Sequence, residues 1–273
     1  MHRGMLAIGA CGAAAVLLVV GCSSSSKPSA GARGASTAAS SGVPSSAPVV
    51  SGTVTVFAAA SLQGTFTMLA RQFEAAHPGV TVKLNFGASS ALALQINQGA
   101  PADVFASASV KNMTQVTDAG GASTPTNFVK NVMEIAVPPS NPARVTALAD
   151  LAKSGVQVAL CQAQVPCGAT AAEVFTNARL TVKPVTLEAD VKSTLAKVEL
   201  NEVDAGMVYV TDVRAAGSKV KGIEIPADVN ASTSYPIAVL TKAANSTAAQ
   251  AFTAYVLSSQ GQRVLAAAGF DRP

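Results

Sequence analysis

The chain has 273 residues, 49% of them hydrophobic and only 12% charged, with no tryptophan and a formal charge of +4. The basic residues are scattered, and no basic run interleaved with aromatics suggests nucleic acid as a partner. With Arg3 in a cleavable leader the remainder carries one positive charge fewer, a mild bias toward anionic ligands and no more than that.

In chain order the first feature is that leader. His2 and Arg3 precede an apolar run over residues 5–20, too short to cross a bilayer, which takes about 20 residues. It reads as a secretory signal over residues 1–21. Its end, Val19-Val20-Gly21-Cys22, resembles the bacterial lipobox. That resemblance implies cleavage before Cys22, a lipid on its sulfur, and a protein held on the extracytoplasmic side of the cell membrane. Residues 22–50 then run in Ser, Ala, Gly and Pro with hardly an apolar anchor, a flexible tether that cannot bury enough surface to fold. About 220 residues remain, enough for two small α/β domains.

The body opens on Thr53-Val54-Thr55-Val56-Phe57, a strand pattern that breaks into three alanines and Ser61. Leu62, Phe66, Leu69 and Phe73 then fall on one face of a helix. Ser61 therefore stands where a strand becomes a helix, in position to cap it. Free N–H groups and the positive end of the helix dipole meet there, which favours an anion without any cation. The construction recurs at residues 80–86, alternating with Val82, Leu84 and Phe86 on one face, followed by Gly87-Ala88-Ser89-Ser90 and a helix carrying Leu92 and Ile96. Two such turns on parallel neighbouring strands would aim two serines into one crevice at the strands' carboxyl ends.

Further on, residues 103–107 read as a short buried strand, 114–119 as a weak helix, and 131–137 as a long strand stopped by Pro138-Pro139. Strands are expected at 156–160, 182–187 and 205–210, and helices at 169–178 and on the face of Val191, Leu195 and Val198. Residues 161–168 are expected as a turn. A strand at 235–240 and helices at 248–257 and 261–268 close the chain. Asp103 and Asp212 read as solvated or turn-forming carboxylates. This order fits a second domain inserted in the first: residues 51–131 and 234–273 against 132–233. Two α/β domains joined by a two-strand hinge would close on a ligand like a clam.

Cys11 leaves with the leader, so the body retains Cys161 and Cys167. An even pair, close in sequence and in an oxidising compartment, points to a disulfide, which in the chain-entropy model contributes about 2.4 kcal/mol. Zinc is the weaker alternative, since the body's one histidine, His77, lies far away in sequence.

Four stretches together carry a family resemblance: Val56-Phe57-Ala58-Ala59-Ala60-Ser61-Leu62, Phe86-Gly87-Ala88-Ser89-Ser90-Ala91-Leu92, Gly99-Ala100-Pro101-Ala102-Asp103-Val104-Phe105 and Gly206-Met207-Val208-Tyr209. They resemble the molybdate-binding proteins of bacterial ABC importers over residues 52–272. The resemblance implies a two-lobed periplasmic-binding-protein-like (type II) fold and a monomer with no cofactor and no metal ligands. Molybdate or tungstate would be the ligand, passed to a permease driven by a separate ATPase subunit. It also implies five contributors: Ser61 and Ser89 by hydroxyl and N–H, Cys167 and Val191 by N–H, and Tyr209 by hydroxyl. Asp190 would cap the helix that leaves the Val191 N–H free. At Cys167 the sequence departs from the small residue common in the family.

Other readings are a receptor for sulfate, phosphate or an organic anion, a lipid-anchored interaction module, and a serine hydrolase using Ser89. The hydrolase rests on Gly87-Ala88-Ser89-Ser90-Ala91, close to G-x-S-x-G, but that elbow needs a later histidine and none follows His77.

Overall fold

The computed structural model describes residues 50–273. The leader, Cys22 and nearly all of the tether lie outside the described residues.

Three strand–helix units begin the body. Strand β1 (Gly52–Ala59) passes through a 3-10 turn at Ala60–Leu62 into α1 (Gln63–Ala76), β2 (Val80–Gly87) leads to α2 (Ser89–Asn97), and β3 (Val104–Ala106) to α3 (Val110–Asp118). As expected, β1 and β2 are parallel neighbours, paired from Gly52↔Val80 to Ala59↔Gly87, and β3 lies parallel on the other side of β1. Their register puts the carboxyl ends of all three strands at one edge.

Strand β4 (Thr126–Val137) then links two halves of the molecule. It starts earlier than its apolar run suggests, with an irregularity between Asn127 and Val129. Its first half pairs antiparallel with the returning strand β9 (Ser232–Val239), and its second half with β7 (Ala205–Tyr209) and β8 (Lys221–Glu224). The second half continues through β5 (Val158–Cys161), α4 (Pro166–Asn177), β6 (Thr186–Glu188), α5 (Val191–Glu199) and α6 (Val210–Ala216). Helices α7 (Ser246–Leu257) and α8 (Ser259–Ala267) return the chain to the first half. The strand order is β2-β1-β3-β9-β4-β7-β5-β6, with β8 on the free flank of β4.

Each half has its own core. Val54, Val56, Phe66, Phe73, Phe128, Tyr235 and Phe252 fill one; Met133, Ile135, Val158, Val174, Leu195 and Met207 fill the other. This is the two-lobed α/β architecture with β4 and β9 as the connecting strands. The expected β6 is cut short because Pro184 has no N–H to give a ladder. Helix α6 and strand β8 escape the sequence pattern because neither is long enough to display a period.

Candidate functional site

Six strands that run parallel within the two half-sheets send their following turns toward one small cavity. Its walls are Ala59, Ala60 and Ser61 after β1, Gly87, Ala88 and Ser89 after β2, and Ala108 after β3. From the other half come Val165, Pro166 and Cys167 after β5, Asp190 and Val191 after β6, and Tyr209 at the end of β7. All five residues singled out from the sequence line it, and all five are buried. The space measures about 20 Å³. Sites for drug-sized molecules run to roughly 300–1,000 Å³, so this one suits a ligand of a few atoms.

The walls are built from helix beginnings. In α2 the first intrahelical bond runs from Leu92 N–H to Ala88 O, which leaves the Ser89 N–H without a helical acceptor. In α4 it runs from Ala169 N–H to Val165 O, so the Cys167 N–H is free of the helix. The sequence reading placed this helix from residue 169; it starts at Pro166, a residue suited to the first helical position because its missing N–H would have no partner there. In α5 the first bond is Thr194 N–H to Asp190 O, and Asp190 Oδ1 takes the Ser193 N–H at 2.9 Å. The expected Asp190 cap is thus present, with Val191 in the first turn. The 3-10 turn before α1 makes the fourth such end at Ser61. Each helix N-terminus carries roughly half a positive charge.

Gly168 lets α4 begin so close to β5. A Cβ there would sit 2.1 Å from the Gln162 carbonyl oxygen and 2.7 Å from that of Cys161. The Cys161–Cys167 disulfide ties the same turn, with Cα atoms 5.8 Å apart. Labelling of the denatured, unreduced body is therefore expected to find no free thiol at either position; two labelled sites would reject the bond.

Neither serine caps its helix, a correction to the sequence reading. Ala88 occupies the cap position of α2, and the Ser89 hydroxyl turns away to accept the Ala108 N–H at 2.8 Å. Leu62 precedes α1, and Ser61 Oγ lies 2.8 Å from the Tyr235 hydroxyl. The Tyr209 hydroxyl is buried with no hydrogen-bond partner. An orphan donor on an anion-sized cavity is an unfilled requirement. Burial first, then the neighbouring Tyr235, pushes its pKa well above that of an ordinary phenol. The nearby Thr170 hydroxyl opposes this, but it gives its own proton to Pro166 O.

The two carboxylates read as solvated or turn-forming are both buried, and of the two only Asp212 bonds the turn next to it. Asp103 accepts the Thr55 N–H at 2.7 Å and the Asn245 N–H at 3.0 Å, tying β1 to the start of α7. Asp212 Oδ2 accepts the Tyr209 N–H at 3.2 Å, and its Oδ1 lies 2.7 Å from Lys192 Nζ. That contact is an ion pair without the alignment of a hydrogen bond. Burial raises the Asp212 pKa and the Lys192 charge opposes the rise. The pair joins the residue after Val191 to the helix that follows Tyr209. Sequence reasoning also missed Tyr235 and Asn131, whose signal was a polar group inside an otherwise apolar strand.

No Lys, Arg or His is among the cavity's lining residues. Among the described residues no group of three or more His, Cys, Asp or Glu could hold a metal ion.

The model of the bacterial extracellular solute-binding protein family matches residues 54–271. The chain belongs to this family. It is 41% identical over 221 residues to the molybdate-binding protein ModA of Mycobacterium tuberculosis (strain H37Rv), covering 81% of this chain and 85% of that protein. In structure it is similar to the periplasmic molybdate-binding protein of Azotobacter vinelandii, with a TM-score of 0.73, 22% identity, and coverage of 81% and 99% of the two chains. It is also similar to the sulfate-binding protein SubI of M. tuberculosis H37Rv, with a TM-score of 0.70, 18% identity, and coverage of 81% and 86%. The last two likenesses establish the shared fold.

Proposed function

We infer that this protein is an extracytoplasmic receptor for a tetrahedral oxyanion, molybdate with tungstate as its near-isostere, that delivers it to an ABC permease served by a separate ATPase. The observation that carries the reading is the cavity itself: four helix beginnings and the unpartnered Tyr209 hydroxyl converge on a space for a few atoms, with no cation in its walls. Ser61 and Ser89 give hydroxyl and N–H, Cys167 and Val191 give N–H, and Tyr209 gives its hydroxyl. The name of the mycobacterial relative supports the choice of molybdate. The lobes formed by residues 51–131 with 234–273 and by 132–233 close about β4 and β9 around the ligand. A leader over residues 1–21, a lipid on Cys22 and the tether to residue 50 hold the receptor, as a monomer, at the membrane. It binds and releases its cargo without chemistry; no histidine lines the cavity to serve Ser89 as a base.

Calorimetry with a panel of oxyanions tests this. Sulfate, too small to reach every donor at good distance, is expected to bind at least about tenfold more weakly than molybdate, roughly 1.4 kcal/mol. Hydrogen phosphate carries a proton that would meet donors, and leaving it unsatisfied costs about 1–3 kcal/mol more. Phosphate binding as tight as molybdate binding would put an acceptor in the walls and overturn the reading.

The pH dependence has a definite sign. The raised Tyr209 pKa keeps its O–H a donor past pH 10. Molybdate affinity is therefore expected to be flat from about pH 6 to 8, far below tyrosine titration. Stability behaves otherwise: a folded pKa above the unfolded value of about 10 means that Tyr209's contribution is fully present below pH 10 and declines as pH rises beyond it. An affinity that changes steeply between pH 6 and 8 would place a titrating group in the site and contradict the donor set.

A further inference from the structure

The two serine hydroxyls on the cavity are not free rotors. The Ala108 N–H donates to Ser89 Oγ, so the serine's own proton points elsewhere, and both residues line the cavity. Ser61 has no such amide. Its oxygen meets the Tyr235 hydroxyl at 2.8 Å, an arrangement in which either oxygen could donate.

The direction of that bond is decided one residue further back. Asn131 Nδ2 lies 3.4 Å from the Tyr235 oxygen and 2.8 Å from Thr211 Oγ1. Its orientation is set by the Val132 N–H, which donates to Asn131 Oδ1 at 3.1 Å. An amide NH2 can only donate. The Tyr235 oxygen therefore offers Asn131 a lone pair, its proton goes to Ser61 Oγ, and the Ser61 proton is left for the ligand. Ser61, Tyr235 and Asn131 are all buried, so bulk water does not compete for these bonds. Burial also pushes the Tyr235 pKa upward, keeping its proton on the ring oxygen.

We propose that Asn131 and Tyr235 are positioning residues that set the hydrogen-bond direction of Ser61, so that the site shows protons to its ligand and discriminates against anions that carry a proton themselves. The proposal rests on the oxyanion reading above. It also gives these residues a place that suits the task. Asn131 stands on β4 where pairing passes from β9, at Val132↔Ser232, to β7, at Met133↔Tyr209. Tyr235 stands opposite Val129 on β9, and Thr211 opens α6 in the second lobe. The chain of bonds thus runs along the two connecting strands to the ligand cavity.

The test is calorimetry with molybdate and with inorganic phosphate on wild type, Tyr235→Phe, Ser61→Ala, the double variant and Asn131→Asp. Tyr235→Phe is expected to weaken molybdate about tenfold, the worth of one hydrogen bond of roughly 1.4 kcal/mol, and to narrow the molybdate-to-phosphate ratio. In the Ser61→Ala background the same change should add less than about twofold, because the hydroxyl it orients is gone. Asn131→Asp puts an acceptor where the amide donated, turns the chain of bonds around, and should narrow the ratio further. A purely structural role would weaken both anions alike and leave the ratio intact. If Asn131→Asp fails to fold, Tyr235→Phe, which deletes one oxygen, decides alone. Wild type that binds molybdate selectively while Tyr235→Phe keeps its ratio, or loses a full tenfold again without Ser61, would overturn the relay alone. Wild type that binds no molybdate would overturn the oxyanion reading and the relay with it.

Discussion

Replacing Ser61 and Ser89 together by alanine is expected to weaken molybdate binding by about 3–6 kcal/mol, roughly 10²- to 10⁴-fold, if the two losses add. Each hydroxyl is a hydrogen bond to a charged ligand, worth about 1.5–3 kcal/mol alone. The backbone N–H groups beside them stay, so binding should weaken and not vanish. The two changes differ in what they do to the scaffold. Ser89→Ala leaves the buried Ala108 N–H without its acceptor, which costs stability on the order of 1–3 kcal/mol. Ser61→Ala removes one partner of Tyr235 while Asn131 remains. Calorimetry read beside urea denaturation separates the two effects. Double-variant protein that binds molybdate with wild-type affinity would show that the anion is held elsewhere.

Phe252→Ala should do the opposite: lose stability by about 3–5 kcal/mol and leave the affinity of the folded protein alone. Phe252 has no exposed surface, and its ring meets those of Phe66 at 6.2 Å and Phe73 at 5.4 Å, both close to edge-on. Its removal forfeits burial and leaves a void between α1 and α7 that rigid neighbours fill only in part. At roughly 2–4 °C per kcal/mol for a body of this size, the melting temperature should fall by about 6–20 °C. Phe252 is not in the cavity wall, so molybdate titrations well below that temperature should match wild type. A loss under about 1 kcal/mol would mean the first lobe's core is not organised around this ring cluster.

What was legible in the sequence is what lies within a few residues of itself. The alternation in β2 and the helical spacing of Leu62, Phe66, Leu69 and Phe73 are local periods, and each of these residues takes the buried or half-buried position its period assigns. The strand–serine–helix turns, the Asp190 cap and the Cys161–Cys167 bond join residues at most six apart. Such short separations let residue type alone report the geometry. The tertiary structure decided whatever depends on partners far along the chain. Asp103 read as solvated or turn-forming, yet it is buried on the amides of Thr55 and of Asn245, 142 residues away. Ser61 finds Tyr235 across 174 residues, and Tyr235 finds Asn131 across 104. Ser61 does not hold the cap position, which Leu62 takes, and its buried hydroxyl finds Tyr235 because a buried polar group without a partner is costly. No local pattern encodes that meeting; it follows from the register in which β4 and β9 cross between the lobes.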